Sequence, residues 1–275
     1  MTKYYSIASG SKGNCGLLMT EKLNILIDMG VSLKYLKESL VKVDLTVEDL
    51  DFVLITHEHI DHMKGIPMLC KKTDVPVYVT KRSFDFFKEK SKVDVKNINF
   101  FVPNETLKFE TMTVETFKTP HDSMESVGFK LIGDDFKFSY MTDLGFMPKT
   151  IMKAILGSDM VVLEANYDTY MLEYGDYPYV VKQRIASNEG HLSNVESSNC
   201  VVELIDSGVK QIMLAHLSEN NNTEQNVRDQ MENTFKFHGI DAEIGRNVHI
   251  APVKNGYPII NIKTGIEESE RICLT

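Results

Sequence analysis

Cysteine is sparse in this chain. Only four occur in 275 residues: Cys15, Cys70, Cys200 and Cys273. They lie far apart and form no C-x-x-C pair, which disfavours a disulfide framework or a zinc knuckle and favours reduced thiols. Cys15 lies in a glycine-rich segment, where an active-site role is one interpretation and a small buried thiol is the favoured one.

Long apolar runs and an excess of basic residues are also lacking. No stretch approaches the length of a membrane span, and the first five residues lack the apolar core of a signal peptide. We therefore expect a cytoplasmic protein that contacts no membrane, and no obligate protein partner is evident. The 30 basic residues are outnumbered by 39 acidic ones, giving a net charge of −9, which argues against a general nucleic-acid binder.

The composition allows one large core. Since 43% of the residues are hydrophobic, we expect a single domain over residues 1–275. Strand-like and helix-like segments alternate, with a helix predicted at 32–40, capped by Ser32, and another at about 63–72. Two β-rich halves with helices between them predict two packed sheets covered by helices on both outer faces.

One short segment concentrates residue types that bind metals. It carries His57, His59, Asp61 and His62 directly after the apolar run 51–55, which we predict to be a buried strand. In extended geometry His57 and His59 point to the same side, whereas the adjacent Asp61 and His62 diverge and suit a second metal. Imidazole nitrogen and carboxylate oxygen suit Zn, Mn or Fe. Surface histidines clustered by chance are the alternative, but a position at a strand end favours a metal site.

Three later residues follow predicted strands in the same way. His121 follows strand 113–118, Asp143 follows strand 136–141, and His216 follows strand 210–214. Four strand ends that carry metal-binding residues would converge on one edge of a two-sheet core. This repetition is far more specific than the first motif alone.

This set of motifs resembles the metallo-β-lactamase-fold hydrolases. The resemblance implies an α/β protein with a four-layer αββα sandwich and a site for two divalent transition metals, Zn or Mn and also Fe. It implies that His57, His59 and His121 bind one metal, that Asp61, His62 and His216 bind the second, and that Asp143 bridges both. Two such cations share a water and lower its pKa, which makes it a nucleophile, and Asp61 is counted among the catalytic residues. Secreted β-lactamases of this fold usually carry cysteine at the bridging position, so Asp143 disfavours lactam hydrolysis.

Shorter motifs narrow the resemblance to the YycJ/WalJ-type branch, which is associated with DNA exonuclease activity. They are the segments 9–15, 26–30, 190–194 and 216–221. The resemblance implies a metal-dependent hydrolase that cleaves DNA phosphodiesters from an end, as a 5′–3′ exonuclease. A small-molecule phosphodiesterase or thioester hydrolase with the same metal core remains the alternative. A catalytically idle scaffold is a third class, against which the intact ligand set speaks.

His191 is the candidate acid. It stands in Gly-His-Leu-Ser-Asn just before a predicted helix, where it would contact substrate and protonate the leaving group. A capping or supporting role is the alternative. Ser193 or Asn194 would cap that helix, and its N-terminal amides would favour a phosphate, so Asn194 is also a substrate-binding candidate.

Other candidates lie at the predicted edge of the site. Ser11 and Asn14 belong to a glycine-rich loop that, without the metal motifs, would be interpreted as a tight turn. Glu164 and Asn166 end another predicted strand, and we expect Glu164 to hydrogen-bond a ligand histidine.

Basic residues are locally dense between positions 71 and 96. They are Lys71, Lys72, Lys81, Arg82, Lys88, Lys90, Lys92 and Lys96. A solvated helix face is the favoured interpretation. A rim that follows the phosphates of DNA is the alternative.

Overall fold

The structure is a computed structural model that describes residues 1–92, 95–251 and 259–266. Its described strands form two seven-stranded sheets. The first sheet contains β1 (Lys3–Ala8), β2 (Cys15–Met19), β3 (Asn24–Ile27), β4 (Phe52–Leu54), β5 (Val77–Thr80), β6 (Ile98–Phe101) and β14 (Ile260–Asn261). The second contains β7 (Thr106–Lys108), β8 (Met112–Lys118), β9 (Val127–Gly133), β10 (Lys137–Met141), β11 (Met160–Glu164), β12 (Gln211–Ala215) and β13 (Val248–Ile250). The strand orders are β14-β1-β2-β3-β4-β5-β6 and β13-β12-β11-β10-β9-β8-β7.

Helices flank the two sheets, and most of them pack on the outer faces. They are α1 (Leu33–Leu40), α2 (Ile60–Met63), α3 (Ile66–Lys72), α4 (Lys81–Ser91), α5 (Lys149–Ile155), α6 (Thr169–Tyr174), α7 (Tyr179–Ile185), α8 (Asn194–Asp206) and α9 (Glu224–His238). The predicted Ser32 cap of α1 is confirmed, because its side chain accepts a hydrogen bond from the Tyr35 N–H. No helix among the described residues is long and apolar enough to cross a membrane.

Three apolar clusters define the layers. The central one joins the facing sides of both sheets, as in the packing of Ile27 and Leu54 with Phe129. A second lies between the first sheet and α1, α3 and α4, and a third lies between the second sheet and α5, α8 and α9. Strand β11 is buried along its whole length because both of its faces are covered. The predicted αββα sandwich is therefore confirmed.

The strand directions bring the predicted site to one edge. Strands β3 to β6 pair in parallel, as do β10 to β13. Strand β8 runs parallel to β10 because each pairs antiparallel with β9. The carboxyl ends of β8, β10 and β12 therefore emerge at the same edge of the second sheet. The end of β4 lies at this edge as well, because the carbonyl oxygen of Thr56 accepts a hydrogen bond from the Val127 N–H at the start of β9.

The predicted helix at 63–72 is wrong in one respect. The helix begins later, at Ile66, as α3; residues 60–63 form the separate short helix α2, and Lys64 and Gly65 lie between the two. A Cβ on Gly65 would lie 2.2 Å from the carbonyl oxygen of Val31, so the chain packs too closely there for a larger residue. Because α2 begins at Ile60, the second half of the histidine motif lies on a helix and not on a loop.

Candidate metal centre

Two groups of side chains converge where β4, β8, β10 and β12 end. In the first, His57, His59 and His121 each offer a nitrogen, and these atoms lie within 4.8 Å of one another. In the second, Asp61, His62 and His216 meet the same criterion. Residues from four separate strand ends thus meet in one place.

Asp143 lies between the two groups. Its Oδ1 is 3.6 Å from His121 Nε2 and 3.7 Å from His216 Nε2, while its Oδ2 is 3.4 Å from His62 Nε2. All seven residues predicted as ligands are therefore adjacent. How they divide between two metals remains a prediction.

Three buried atoms in this cluster lack a hydrogen-bond partner among the described residues. They are His57 Nε2, His216 Nε2 and Asp143 Oδ2. Leaving a buried polar atom unpaired is costly, so each such atom in a folded protein calls for an explanation. A cation would satisfy all three, and a set of imidazole nitrogens and carboxylate oxygens suits a divalent transition metal. The residues present fit such metals.

His57 and His216, one from each group, differ in charge. Burial, together with the neighbouring His62, His121 and His59, holds the pKa of His57 well below its usual value, so this imidazole is neutral. His216 is opposite: burial lowers its pKa, but Asp143 and the carboxylates of Asp61 and Glu164 outweigh burial and raise the pKa to about 10. Without metal, protons on the second group balance its carboxylates, and a bound cation would replace them.

Asp28 orients His62. This carboxylate is fully buried at the end of β3, where its Oδ2 accepts a hydrogen bond from His62 Nδ1 at 2.8 Å and its Oδ1 accepts one from the Thr56 N–H at 2.8 Å. The contact assigns the His62 proton to Nδ1 and leaves Nε2 directed at the cluster. Burial raises the pKa of Asp28 although His62 opposes it.

Glu164 serves two histidines at once. Its Oε1 accepts hydrogen bonds from Nδ1 of His216 and of His191, each at 2.8 Å, and its Oε2 accepts from the Leu144 and Leu192 N–H groups. The expected hydrogen bond of Glu164 to a ligand histidine is present. Burial raises the pKa of Glu164, but His191 and His216 lower it more, so the carboxyl stays ionised. Because four donors occupy its oxygens, Glu164 is a partner of the ligands and not a ligand itself.

His191 stands beside the cluster. Its ring centroid lies 5.1 Å from that of His121 and 5.3 Å from that of His216, and its side chain is 19% exposed. Since Nδ1 faces Glu164, Nε2 is the atom that can exchange a proton with a bound molecule. This position is compatible with the predicted acid role.

The glycine-rich loop contacts the cluster through Ser9 and Asn14, and not through Ser11. Ser11 is exposed, whereas the Ser9 hydroxyl accepts a hydrogen bond from the His216 N–H at 2.7 Å. Asn14 is 1% exposed, and its Nδ2 lies 3.3 Å from Asp61 Oδ2 and 3.0 Å from His62 Nε2. Asn14 therefore contacts the predicted ligands from inside the fold.

Of the two residues predicted to cap the helix after His191, Ser193 is the one that does so. Ser193 caps α8 and forms a capping box with Glu196. Asn194 is 1% exposed, and its amide pairs with that of Asn222. This burial and pairing argue against the predicted substrate contact of Asn194.

Asp28, Thr56 and Ser9 are functional neighbours that sequence reasoning missed. The available signal for Asp28 was an acidic residue closing an apolar strand next to the strand that precedes the histidine motif. Cys15, Cys70 and Cys200 are free and buried, as expected of structural thiols, and Cys273 lies outside the described residues.

The sandwich fold and the cluster of histidines and carboxylates at its edge together define a metal-dependent hydrolase. The chain belongs to the β-lactamase superfamily, because the model of the family described as "Beta-lactamase superfamily domain" matches residues 23–217.

Within this superfamily, the chain is similar to two named exodeoxyribonucleases. The chain is 33% identical to exodeoxyribonuclease WalJ of Streptococcus pneumoniae over 234 residues, which is 84% of this chain and 87% of that protein. It is 30% identical to exodeoxyribonuclease YycJ of Bacillus anthracis over 244 residues, 88% of this chain and 92% of that protein. The crystal structure of the Bacillus subtilis metallo-β-lactamase fold protein YhfI superposes with a TM-score of 0.70 at 18% identity, covering 94% of this chain and 99% of that one. The last likeness supports the fold alone.

Proposed function

We propose that this protein is a metal-dependent exonuclease that hydrolyses DNA phosphodiesters from a strand end. The proposal rests on one observation: Asp143 lies between two groups of donor residues, and the ligand atoms within each group lie within 4.8 Å of one another. The names of its relatives in Streptococcus pneumoniae and Bacillus anthracis supply the DNA substrate. A DNA substrate also supports a cytoplasmic location, and the shared core between the sheets supports a single domain over 1–275.

In this proposal the ligands divide as the family resemblance implies. His57, His59 and His121 would hold one metal, Asp61, His62 and His216 would hold the second, and Asp143, which lies between the two groups, would serve both. Zn, Mn and Fe all suit these donors, and the oxygen bridge favours Mn as readily as Zn. When bound, two such cations would supply an activated water as the nucleophile and positive charge for the phosphate.

The remaining residues orient the ligand histidines and supply a proton to the leaving group. Asp28 and Glu164 fix the rings of His62 and His216, so that their Nε2 atoms keep one direction. His191 gives a proton from Nε2 to the leaving alkoxide, which is a poor leaving group without one.

The test compares substrates on one preparation. Mn-loaded protein is incubated with end-labelled linear duplex, a closed circle of the same sequence, RNA, and bis(p-nitrophenyl) phosphate, and metal content is measured on the same sample. We expect cleavage of the linear duplex and none of the circle. Asp143→Ala serves as the inactive control. Turnover of the small phosphodiester with no cleavage of either DNA would instead support a small-molecule hydrolase.

A further inference from the structure

A cleft of about 480 Å³ lies directly beside the metal centre. It shares His59 and Asp61 with the two donor groups, so a molecule that fills the cleft would lie next to the candidate metal centre. Its volume lies in the range of small-molecule binding sites. The described cleft walls come from the start of α2, the last turns of α4 and the end of α7.

The cleft combines apolar walls with cations. Ile60, which is 66% exposed, and the rings of Phe86 and Phe87 supply the apolar surface. Lys90 Nζ lies 4.2 Å from the centroid of the Phe86 ring, and Arg184 lies on the opposite helix in a charge pair with Asp122. Aromatic surface next to cations is the combination that proteins use to hold a base and its flanking phosphates.

An unsatisfied acceptor lies in the same wall. Glu58 is 5% exposed, and its Oε1 accepts a hydrogen bond from the Met124 N–H at 2.7 Å. Its Oε2 is buried and has no hydrogen-bond partner among the described residues. An acceptor left in this state is costly, whereas the edge of a nucleobase offers N–H donors that a carboxylate accepts.

We infer that this cleft binds the nucleoside next to the scissile phosphate. The base lies against Ile60 and Phe86 and donates an N–H to Glu58, while Lys90 and Arg184 face the flanking phosphates. The inference rests on the proposed exonuclease function and adds a site for one unpaired base. It explains how a chain with a net charge of −9 holds DNA without a general basic surface.

The experiment combines two changes: an abasic unit replaces a nucleotide of the substrate, and Phe86→Ala removes the aromatic ring from the cleft. Single-stranded oligonucleotides carry either normal nucleotides or an abasic unit on one or the other side of the first scissile bond, and kcat/KM is measured for each. Unchanged protein should prefer the normal oligonucleotide by about tenfold, the scale of base–aromatic stacking. Phe86→Ala should reduce that preference to near one, and Ile60→Ser, at an exposed position, should reduce it severalfold.

Two further variants sharpen the result. Glu58→Gln keeps an oxygen for the Met124 N–H but removes the second acceptor, so it should also lower the preference for a base. Phe237→Ala removes a ring that is 84% exposed on α9 and does not line the cleft, so it should retain the full tenfold preference. Metal content and circular dichroism confirm that each variant is folded.

The outcomes separate the two proposals. If the unchanged protein cleaves DNA but treats abasic and normal oligonucleotides alike, or if Phe86→Ala keeps the preference, the nucleoside site is overturned and the exonuclease stands. If bis(p-nitrophenyl) phosphate is hydrolysed and no oligonucleotide is, the exonuclease is overturned and the nucleoside site with it.

Discussion

His62 Nδ1 lies 2.8 Å from Asp28 Oδ2, and both side chains are fully buried. Asp28 adopts a left-handed backbone conformation with a φ of 60°, which directs its carboxylate from the end of β3 toward the histidine motif. The contact joins the end of β3 to helix α2, which follows the neighbouring parallel strand β4. A carboxylate behind a histidine fixes the ring and raises its basicity, and so tunes it as a ligand.

Asp28→Asn should weaken metal binding by about 10–100-fold, the usual effect of changing a partner of a ligand histidine. Asparagine keeps the shape and tolerates the left-handed conformation, so the change isolates the charge. Competition with a chelator of known affinity measures the loss. Asp51→Asn, at an exposed position, is the control and should bind metal normally. Equal affinity in both variants would remove Asp28 from the site.

The freshly purified protein should contain close to two transition metals per chain. His59→Ala and Asp143→Ala should each lower that number, and elemental analysis measures it. Asp143→Ala should damage activity more, because it removes the carboxylate between the donor groups and leaves two cations repelling each other. Full occupancy in both variants would show that the ligands are wrongly assigned.

His191→Ala should reduce turnover by roughly 10²–10⁴-fold while metal content survives, since the residue is proposed to act as an acid and not as a ligand. Single-turnover kinetics on DNA, with elemental analysis of the same sample, separates the two roles. A near-normal kcat would leave His191 a structural histidine held by Glu164. Loss of metal would make it a ligand.

Replacing Lys88, Lys90 and Lys92 together by glutamine should weaken DNA binding and flatten its dependence on salt, if these residues follow the phosphate backbone. Binding is measured by fluorescence anisotropy across a salt series. The matched control replaces Lys34, Lys37 and Lys42, three exposed lysines at and just after α1. An unchanged salt slope would leave the lysines as a solvated helix face.

Cys70 and Cys200 should resist alkylation by iodoacetamide at pH 8. Burial raises the pKa of the Cys70 thiol to about 11 and that of Cys200 to about 12, so almost no reactive thiolate is present. Because the folded pKa lies above the unfolded value, the stability each thiol contributes is complete below about pH 8.5 and is lost as pH rises toward the folded pKa. Peptide mapping before and after unfolding in urea measures the reaction. Rapid modification of the folded protein would contradict this burial.

The αββα sandwich and the seven candidate ligands could be predicted from the sequence, because both depend on local patterns. Alternating strands and helices indicate the layers, and a histidine or aspartate at each strand end needs only parallel directions to converge. The position of Glu164 at the end of another predicted strand also justified expecting it beside a ligand histidine.

The remaining features depend on contacts between distant segments. Asp28 can accept a hydrogen bond from His62 only because β3 and β4 pair in parallel. The side-chain amide of Asn194 is hydrogen-bonded to that of Asn222, which lies in a later loop. Gly65, between α2 and α3, packs against the backbone of Val31, which lies far from it in sequence. The cleft requires α4 and α7, which are far apart in sequence, to face each other. No local pattern contains this information.

The seven candidate ligands are shared between the two sheets. Four follow β4 of the first sheet, namely His57, His59, Asp61 and His62, while His121, Asp143 and His216 follow strands of the second. Each proposed metal therefore ties one sheet to the other, and this cross-link exists only while the sheets are packed. By mass action, one such site held at a hundred times its dissociation constant adds about 2.7 kcal/mol to the free energy of unfolding. The proposed metals would therefore raise the free energy of unfolding in addition to supplying the chemistry of the site.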